Sequence, residues 1–179
     1  MTEFFRGQQG VVQLESGTYL PNRRVLRRWV KRCYDHGRGI VFTNGCFDVL
    51  HRGHVHFLDE LRMTYASLPM LILVALNSDK SIRRLKGRDR PINTLLDRAA
   101  VVGSLRSVSV VTYFDEDTPE ELLKIIRPEV LAKSGEFADV VVPGEEYVLS
   151  YGGKVWKQGF LPGYSTTNIV HKLKLHDGK

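Results

Sequence analysis

The chain has 179 residues, 42% of them hydrophobic and 26% charged, which describes one ordinary globular domain with a real core. No apolar run is long enough to cross a bilayer, residues 1–20 lack the basic and apolar regions of a signal peptide, and Cys33 and Cys46 form neither a CxxC pattern nor a disulfide framework. A cytoplasmic location is therefore expected, and a net charge of +6 with a pI near 9.4 favours an anionic partner without naming one.

Residues 1–20 show no clear period, so 1–21 reads as an N-terminal arm and 22–179 as the domain proper. Val25 to Tyr34 predicts a helix, with Val25, Leu26, Trp29, Val30 and Cys33 at helical spacing on an otherwise basic segment. Gly39 to Thr43 predicts a short buried strand, and His54 to Ala66 a helix carrying Val55, Leu58, Leu61, Met63 and Tyr65. Met70 to Asn77, "MLILVALN", is the strongest strand signal. The basic run Arg83 to Arg90 contains Gly87 and precedes Pro91, which predicts a loop. Asn93 to Leu105 follows as a helix with Asn93 as its cap, then Ser107 to Phe114 as a strand. Asp117 to Pro128 reads as a helix with Pro119 early and acids in its first turn. Glu129 to Lys133 and Gly152 to Gln158 complete the strands, and Ser165 to Leu175 is the closing helix. Strand and helix alternate, so the expected fold class is α/β: a Rossmann-like, doubly wound parallel sheet with helices on both faces. Ligands in such sheets bind beyond the carboxyl ends of the strands.

Chemistry concentrates after the first predicted strand, in "FTNGCFDVLHRGHVHF" (42–57), where three of the six histidines lie close together. A helix start presents unpaired backbone N–H groups to an anion, and Gly45 and Gly53 let backbone approach a ligand. His51 and His54, flanking Gly53, are placed to donate to one phosphate, whereas His56 points elsewhere. Zinc is the rival: Cys46 or Asp48 would have to complete the ligand set, but Cys-rich and HExxH spacings are missing. The bland alternative is histidines capping a turn.

Lys86 and Arg90, in the basic run after the second predicted strand, suit a polyphosphate. Ser165, Thr166 and Thr167 exceed what a helix cap needs and suit further phosphates. Walker, GxGxxG and GxSxG motifs are all absent. No interleaved aromatic stack or zinc finger supports nucleic-acid binding, so neither a nucleic acid nor a membrane is expected as a partner.

"TNGCFDVLHRGHVHFL" resembles the signature of the HxGH nucleotidyltransferases, the cytidylyltransferase-like superfamily. Together with "NSDKSIRRLKGRDRPINTLLDRAAVVGSL", "DEDTPEELLKIIRPEVLAKSGEF", "YGGKVW" and "GYSTTNIV", it is similar to D-glycero-β-D-manno-heptose 1-phosphate adenylyltransferases over roughly residues 22 to 175. The resemblance implies transfer of AMP from Mg²⁺-ATP to a sugar 1-phosphate, giving ADP-sugar and pyrophosphate, in ADP-heptose and lipopolysaccharide biosynthesis. It implies catalytic roles for His51, His54 and Lys86. Nucleotide binding would fall to Thr43, Asn44, Gly45, Cys46, Phe47, Gly53, Asn77, Arg90, Ser165, Thr166 and Thr167, and substrate binding to Asp48 and Lys133. In the family the matching lysine precedes Gly-Gly-Asp-Tyr; here Lys133 precedes Ser134-Gly135-Glu136-Phe137, a departure on the acceptor side. The alternative within the class is a cytidylyltransferase for glycerol 3-phosphate or another polyol phosphate. The resemblance further implies a sugar kinase as a separate partner and is compatible with a homodimer.

Overall fold

The computed structural model describes residues 10, 12–14, 17–135, 141–159, 161–166 and 169. In chain order the elements are β1 (Val12–Leu14), β2 (Gly17–Tyr19), α1 (Arg23–Asp35), β3 (Gly39–Gly45), α2 (Arg52–Thr64), β4 (Met70–Asn77), α3 (Asp79–Lys86), α4 (Leu95–Gly103), β5 (Val110–Phe114), α5 (Glu120–Ile126), β6 (Val130–Ser134), α6 (Glu145–Ser150) and β7 (Lys154–Gln158). The sheet runs β1-β2-β5-β4-β3-β6-β7; β1 pairs antiparallel with β2, and every other pairing is parallel. The doubly wound expectation therefore holds.

The central strands bury both faces, and this is why they read as continuous apolar runs rather than alternating ones. Leu71, Leu73 and Ala75 of β4 join one core with Val25, Leu26 and Trp29 of α1 and Leu122, Leu123 and Ile126 of α5. Their neighbours Ile72, Val74 and Leu76 join the other core, against Phe57, Leu58 and Leu61 of α2 and Ala99 and Val102 of α4. Successive residues of a strand point to opposite faces, so one strand serves two cores. From β3 the chain steps outward through β4 to β5, then returns to add β6 on β3's other side. The order reverses between β3 and β6, and that is where a crevice opens at the carboxyl edge.

Helix α1 buries the five residues expected of it, and Asn22 caps it by accepting from the Val25 N–H at 3.0 Å. Several expectations need correction. Met63 of α2 is exposed, and Phe57 takes the core position instead. Arg83 to Lys86 are not loop: they form the last turn of α3, which Ser78 caps and Gly87 terminates at φ 95°. Only Ser81 and Ile82 are buried along α3, too few to give a periodic signal. The cap of α4 is Thr94, not Asn93; the Asn93 amide donates to the Asp48 carbonyl at 2.5 Å. Residues 12–14 and 17–19, inside the stretch read as an arm, add two strands to the sheet, and α6 was not anticipated. Of the closing helix, 167, 168 and 170–175 lie outside the described residues.

Candidate functional site

Strand β3 ends in Thr43, Asn44 and Gly45, and β6 beside it ends in Lys133 and Ser134. Lys133 reaches across the crevice and donates from Nζ to both the Asn44 carbonyl and Asn44 Oδ1, each at 3.1 Å. Burial lowers the lysine's pKa, opposed by Cys46.

After β3 the chain turns sharply at Phe47, whose φ of 45° is in the left-handed region. That turn seats the Phe47 ring 4.8 Å from the His54 ring. His51 is the N-cap of α2 and His54 is its third residue, so the two rings stack at 3.8 Å and 24°. The His51 N–H donates to His54 Nδ1 at 3.4 Å. This makes Nδ1 the acceptor and leaves the ring proton on Nε2. Burial pushes His54 down to about 4, and electrostatic coupling to His51 and to the Lys86 ammonium adds to the effect. Burial also lowers His51. Both imidazoles are thus neutral donors at pH 7.

A cavity of about 530 Å³ opens over these groups, within the size range of small-molecule sites. Thr43, Asn44, Gly45, Phe47, His51, Gly53, His54, Lys86, Lys133, Ser165 and Thr166 all line it, eleven of the residues expected at the site. Sequence reasoning missed Phe57, Ser134 and Leu161 to Tyr164, which complete the wall. Leu161, Pro162 and Gly163 sit directly before "YSTT", a proximity that could have flagged them. Among the described lining residues none is acidic, two are lysines, and the start of α2 adds its N–H groups. The wall is built for an anion.

Cys46, Asp48, Asn77 and Arg90 do not line this cavity, and Thr167 lies outside the described residues. Asp48 is buried beneath the loop. Its Oδ1 accepts from the N–H groups of Ile92 and Asn93 at 2.8 and 2.9 Å, and its Oδ2 from Arg90 Nε at 2.7 Å. Burial pushes this carboxyl up, but the Asn93 and Ile92 N–H groups and the Arg90 charge outweigh it and hold the pKa below the usual value. Asn77 donates to Ser81 Oγ at 3.1 Å, and Cys46 Sγ lies 3.9 Å from Asn77 Oδ1.

Arg98 was not anticipated. It is 1% exposed. Its Nη1 donates to the carbonyls of Cys46 and Asn77 at 2.7 and 2.9 Å, Nε to the Asn93 carbonyl at 3.1 Å, and Nη2 to Asp79 Oδ1 at 2.7 Å. One side chain thus ties the histidine loop to the end of β4, the start of α3 and the approach to α4.

A family model described as cytidylyltransferase-like matches residues 42–172. The chain belongs to the cytidylyltransferase-like family. The enzyme class is accordingly that of a nucleotidyltransferase, and the matched span contains the whole described cavity wall. The chain is 49% identical over 139 residues to the bifunctional protein HldE of Hahella chejuensis, an alignment covering 78% of this chain and 28% of that protein. It is 42% identical over 188 residues to the bifunctional protein HldE of Alcanivorax borkumensis, covering 94% and 39%. The chain spans about a third of the length of the curated relatives it matches. Among solved structures, a lipopolysaccharide core biosynthesis protein from Thermoplasma volcanium GSS1 shares the fold, with a TM-score of 0.51 at 21% identity over 68% of this chain and 95% of that one.

Proposed function

We propose that this protein transfers AMP from ATP to a sugar 1-phosphate, D-glycero-β-D-manno-heptose 1-phosphate, releasing pyrophosphate and forming an ADP-sugar. The observation that carries this reading is the convergence of β3, β6, the start of α2 and the 161–166 segment on one cavity with lysines and no described carboxylate on its wall. The likeness to proteins named bifunctional protein HldE supports the choice of acceptor.

In the reaction an acceptor phosphate oxygen bonds to the α-phosphorus of ATP while the bond from that phosphorus to the β-phosphate bridge oxygen breaks in line. No general base is required, because a phosphate monoester is already largely ionised at pH 7, its second pKa being near ~6. Positioning and charge neutralisation supply the catalysis. Neutral His51 and His54 donate to oxygens around the α- and β-phosphates without carrying a charge of their own. Lys86 offsets charge on the leaving pyrophosphate, and Lys133 holds the acceptor phosphate at the β6 side. Ser165 and Thr166 hold phosphate oxygens of the nucleotide. Asp48, Arg90, Asn77 and Cys46 act from behind the wall by fixing the loop.

For magnesium, which the resemblance implies, no group of three His, Cys, Asp or Glu among the described residues could form a ligand cluster. The carboxylate nearest in sequence to the histidines, Asp48, is engaged by Arg90, Ile92 and Asn93. A magnesium ion would be carried by the substrate phosphates. Its phosphate ester makes the acceptor the product of a sugar kinase acting earlier in the same reaction sequence. No helix among the described residues is long and apolar enough to cross a membrane, and we place the activity in the cytoplasm, where ATP and sugar phosphates are available.

The test is pyrophosphate release across a matrix of nucleoside triphosphates and phosphorylated acceptors. Turnover with ATP and heptose 1-phosphate is expected. Turnover confined to CTP with glycerol 3-phosphate or another polyol phosphate would replace this reading with the cytidylyl one.

A further inference from the structure

Arg52 carries a positive charge where a helix is least suited to one. It opens α2, at the positive end of the helix dipole, and no acidic residue stands in that first turn. None of the ion pairs found among the described residues includes it. Its guanidinium lies instead 5.6 Å from the centre of the Tyr164 ring and donates from Nη1 to the Tyr164 hydroxyl at 3.2 Å. Arg52 does not itself line the cavity, but its neighbour Gly53 and its partner Tyr164 both do, which puts its guanidinium next to the wall. Among the described residues one of its five N–H donors is used, by Tyr164, and the rest remain for a ligand.

Two other arginines of the region are committed. Arg90 is paired with Asp48, and Arg84 with Asp117. Lys133 donates to Asn44 at the opposite, β6 side of the crevice. The two histidines line the cavity as uncharged donors. Lys86 lines the cavity but is one charge facing a polyanion.

We propose that Arg52 binds the outer phosphates of the triphosphate, and hence the departing pyrophosphate, with Tyr164 as the positioning residue that aims its guanidinium. This rests on the nucleotidyl-transfer reading of the same site. A guanidinium fork matches two phosphate oxygens at once, and stacking on an aromatic ring fixes its plane in advance. The same contact holds the segment preceding Ser165 and Thr166 against α2, so the clasp and the hydroxyls close on one polyphosphate.

Calorimetry with inorganic pyrophosphate and with AMP, on the parent chain, R52A, R52K and Y164F, tests this. R52A should weaken pyrophosphate about tenfold or more while AMP, lacking the outer phosphates, changes by less than about twofold. R52K should keep part of the affinity, and Y164F should fall between parent and R52A. In turnover assays the loss should appear in the KM for ATP rather than in kcat. Unchanged pyrophosphate affinity in R52A, or an equal loss for AMP, would overturn the proposal. Absence of pyrophosphate release by the parent with every nucleotide would instead sink the functional reading, since the calorimetry reads Arg52 without turnover.

Discussion

Arg90 Nε and Asp48 Oδ2 meet at 2.7 Å with side chains only 17% and 1% exposed, and this buried pair joins the segment after α3 to the histidine loop. Oxygens of the same carboxylate also accept from the Ile92 and Asn93 backbone. Positions 42 to 45 residues apart in sequence are thereby locked together behind the cavity wall.

Removing one partner of such a pair leaves an uncompensated buried charge, at a cost of roughly 3–5 kcal/mol. Asp48→Ala should therefore lower stability by that order in urea titration. The pH dependence follows from the depressed carboxyl pKa. Unfolded, Asp48 titrates near ~3.9. Its contribution is fully present above that value and is lost as pH falls through the lower folded value. The parent should lose stability in that acid window and Asp48→Ala should lose less. Identical acid profiles would remove this role.

Arg98 should prove more important to stability than its distance from the cavity suggests. Arg98→Met keeps the apolar stem but strands the carbonyls of Cys46, Asn77 and Asn93 and the Asp79 carboxylate. Each unsatisfied buried acceptor costs about 1–3 kcal/mol. A fall in Tm of roughly 10 °C or more is expected for a chain of this size, with scanning calorimetry as the readout. A fall under about 3 °C, close to the effect of a single kcal/mol, would show that water replaces the guanidinium.

These two side chains also mark the limit of what the sequence carries. The histidine loop was legible because its parts are local: a strand end, two glycines, a helix start. Strand β4 was legible because burial on both faces makes an unbroken apolar run from Met70 to Asn77. Helix α3 was not, because its anchors are Ile82 and a Ser78 cap rather than a stripe. Strands β1 and β2 are three residues each, and β2 holds its place by close packing that no period encodes. A Cβ on Gly17 would meet the Gly103 backbone at 2.6 Å. Asp48 was expected to bind substrate, but it does not line the cavity, and spacing could not show that its oxygens are taken by Arg90, Ile92 and Asn93. Arg98 left no signal at all; an arginine inside an apolar helix pattern reads as a solvent-facing residue until the four acceptors around it are seen.

Gly53 offers a clean separation of stability from activity. It lies in the first turn of α2, where Ala would be the better helix former by about 1 kcal/mol. A Cβ there would approach His51 Cε1 and Nδ1 at 3.1 Å and Tyr164 Cβ at 3.3 Å. Those contacts are tight enough to shift the imidazole and the 161–164 segment by tenths of an ångström. Gly53→Ala should keep its Tm within a few degrees of the parent yet lose roughly tenfold or more in kcat, because small misplacements in a preorganised site are costly. Full activity in a folded Gly53→Ala chain would mean that the phosphate does not approach this backbone.

His54 gives the sharpest test of the charge state assigned to the site. Its folded pKa is near 4 against an ordinary value of 6.5, chiefly through burial. Between those values the unfolded chain binds a proton that the folded chain excludes, so stability falls as pH drops from 6.5 toward 4 and is untouched above that range. The loss from this residue is up to ~3 kcal/mol. His54→Gln, which retains a donor but cannot titrate, should flatten that part of the stability profile; His51, shifted in the same direction by burial, accounts for a remaining slope. In the proposed mechanism the neutral ring donates from Nε2 and needs no proton from solvent, so kcat at saturating substrates should show no step near pH 6.5 belonging to His54. His54→Ala should lose roughly 10²–10³ in kcat, as removal of other transition-state donors does, and His54→Gln should recover part of it. A kcat that instead rises as pH falls through 6.5, and does so only while His54 is present, would identify an imidazolium at work and contradict the buried, neutral ring.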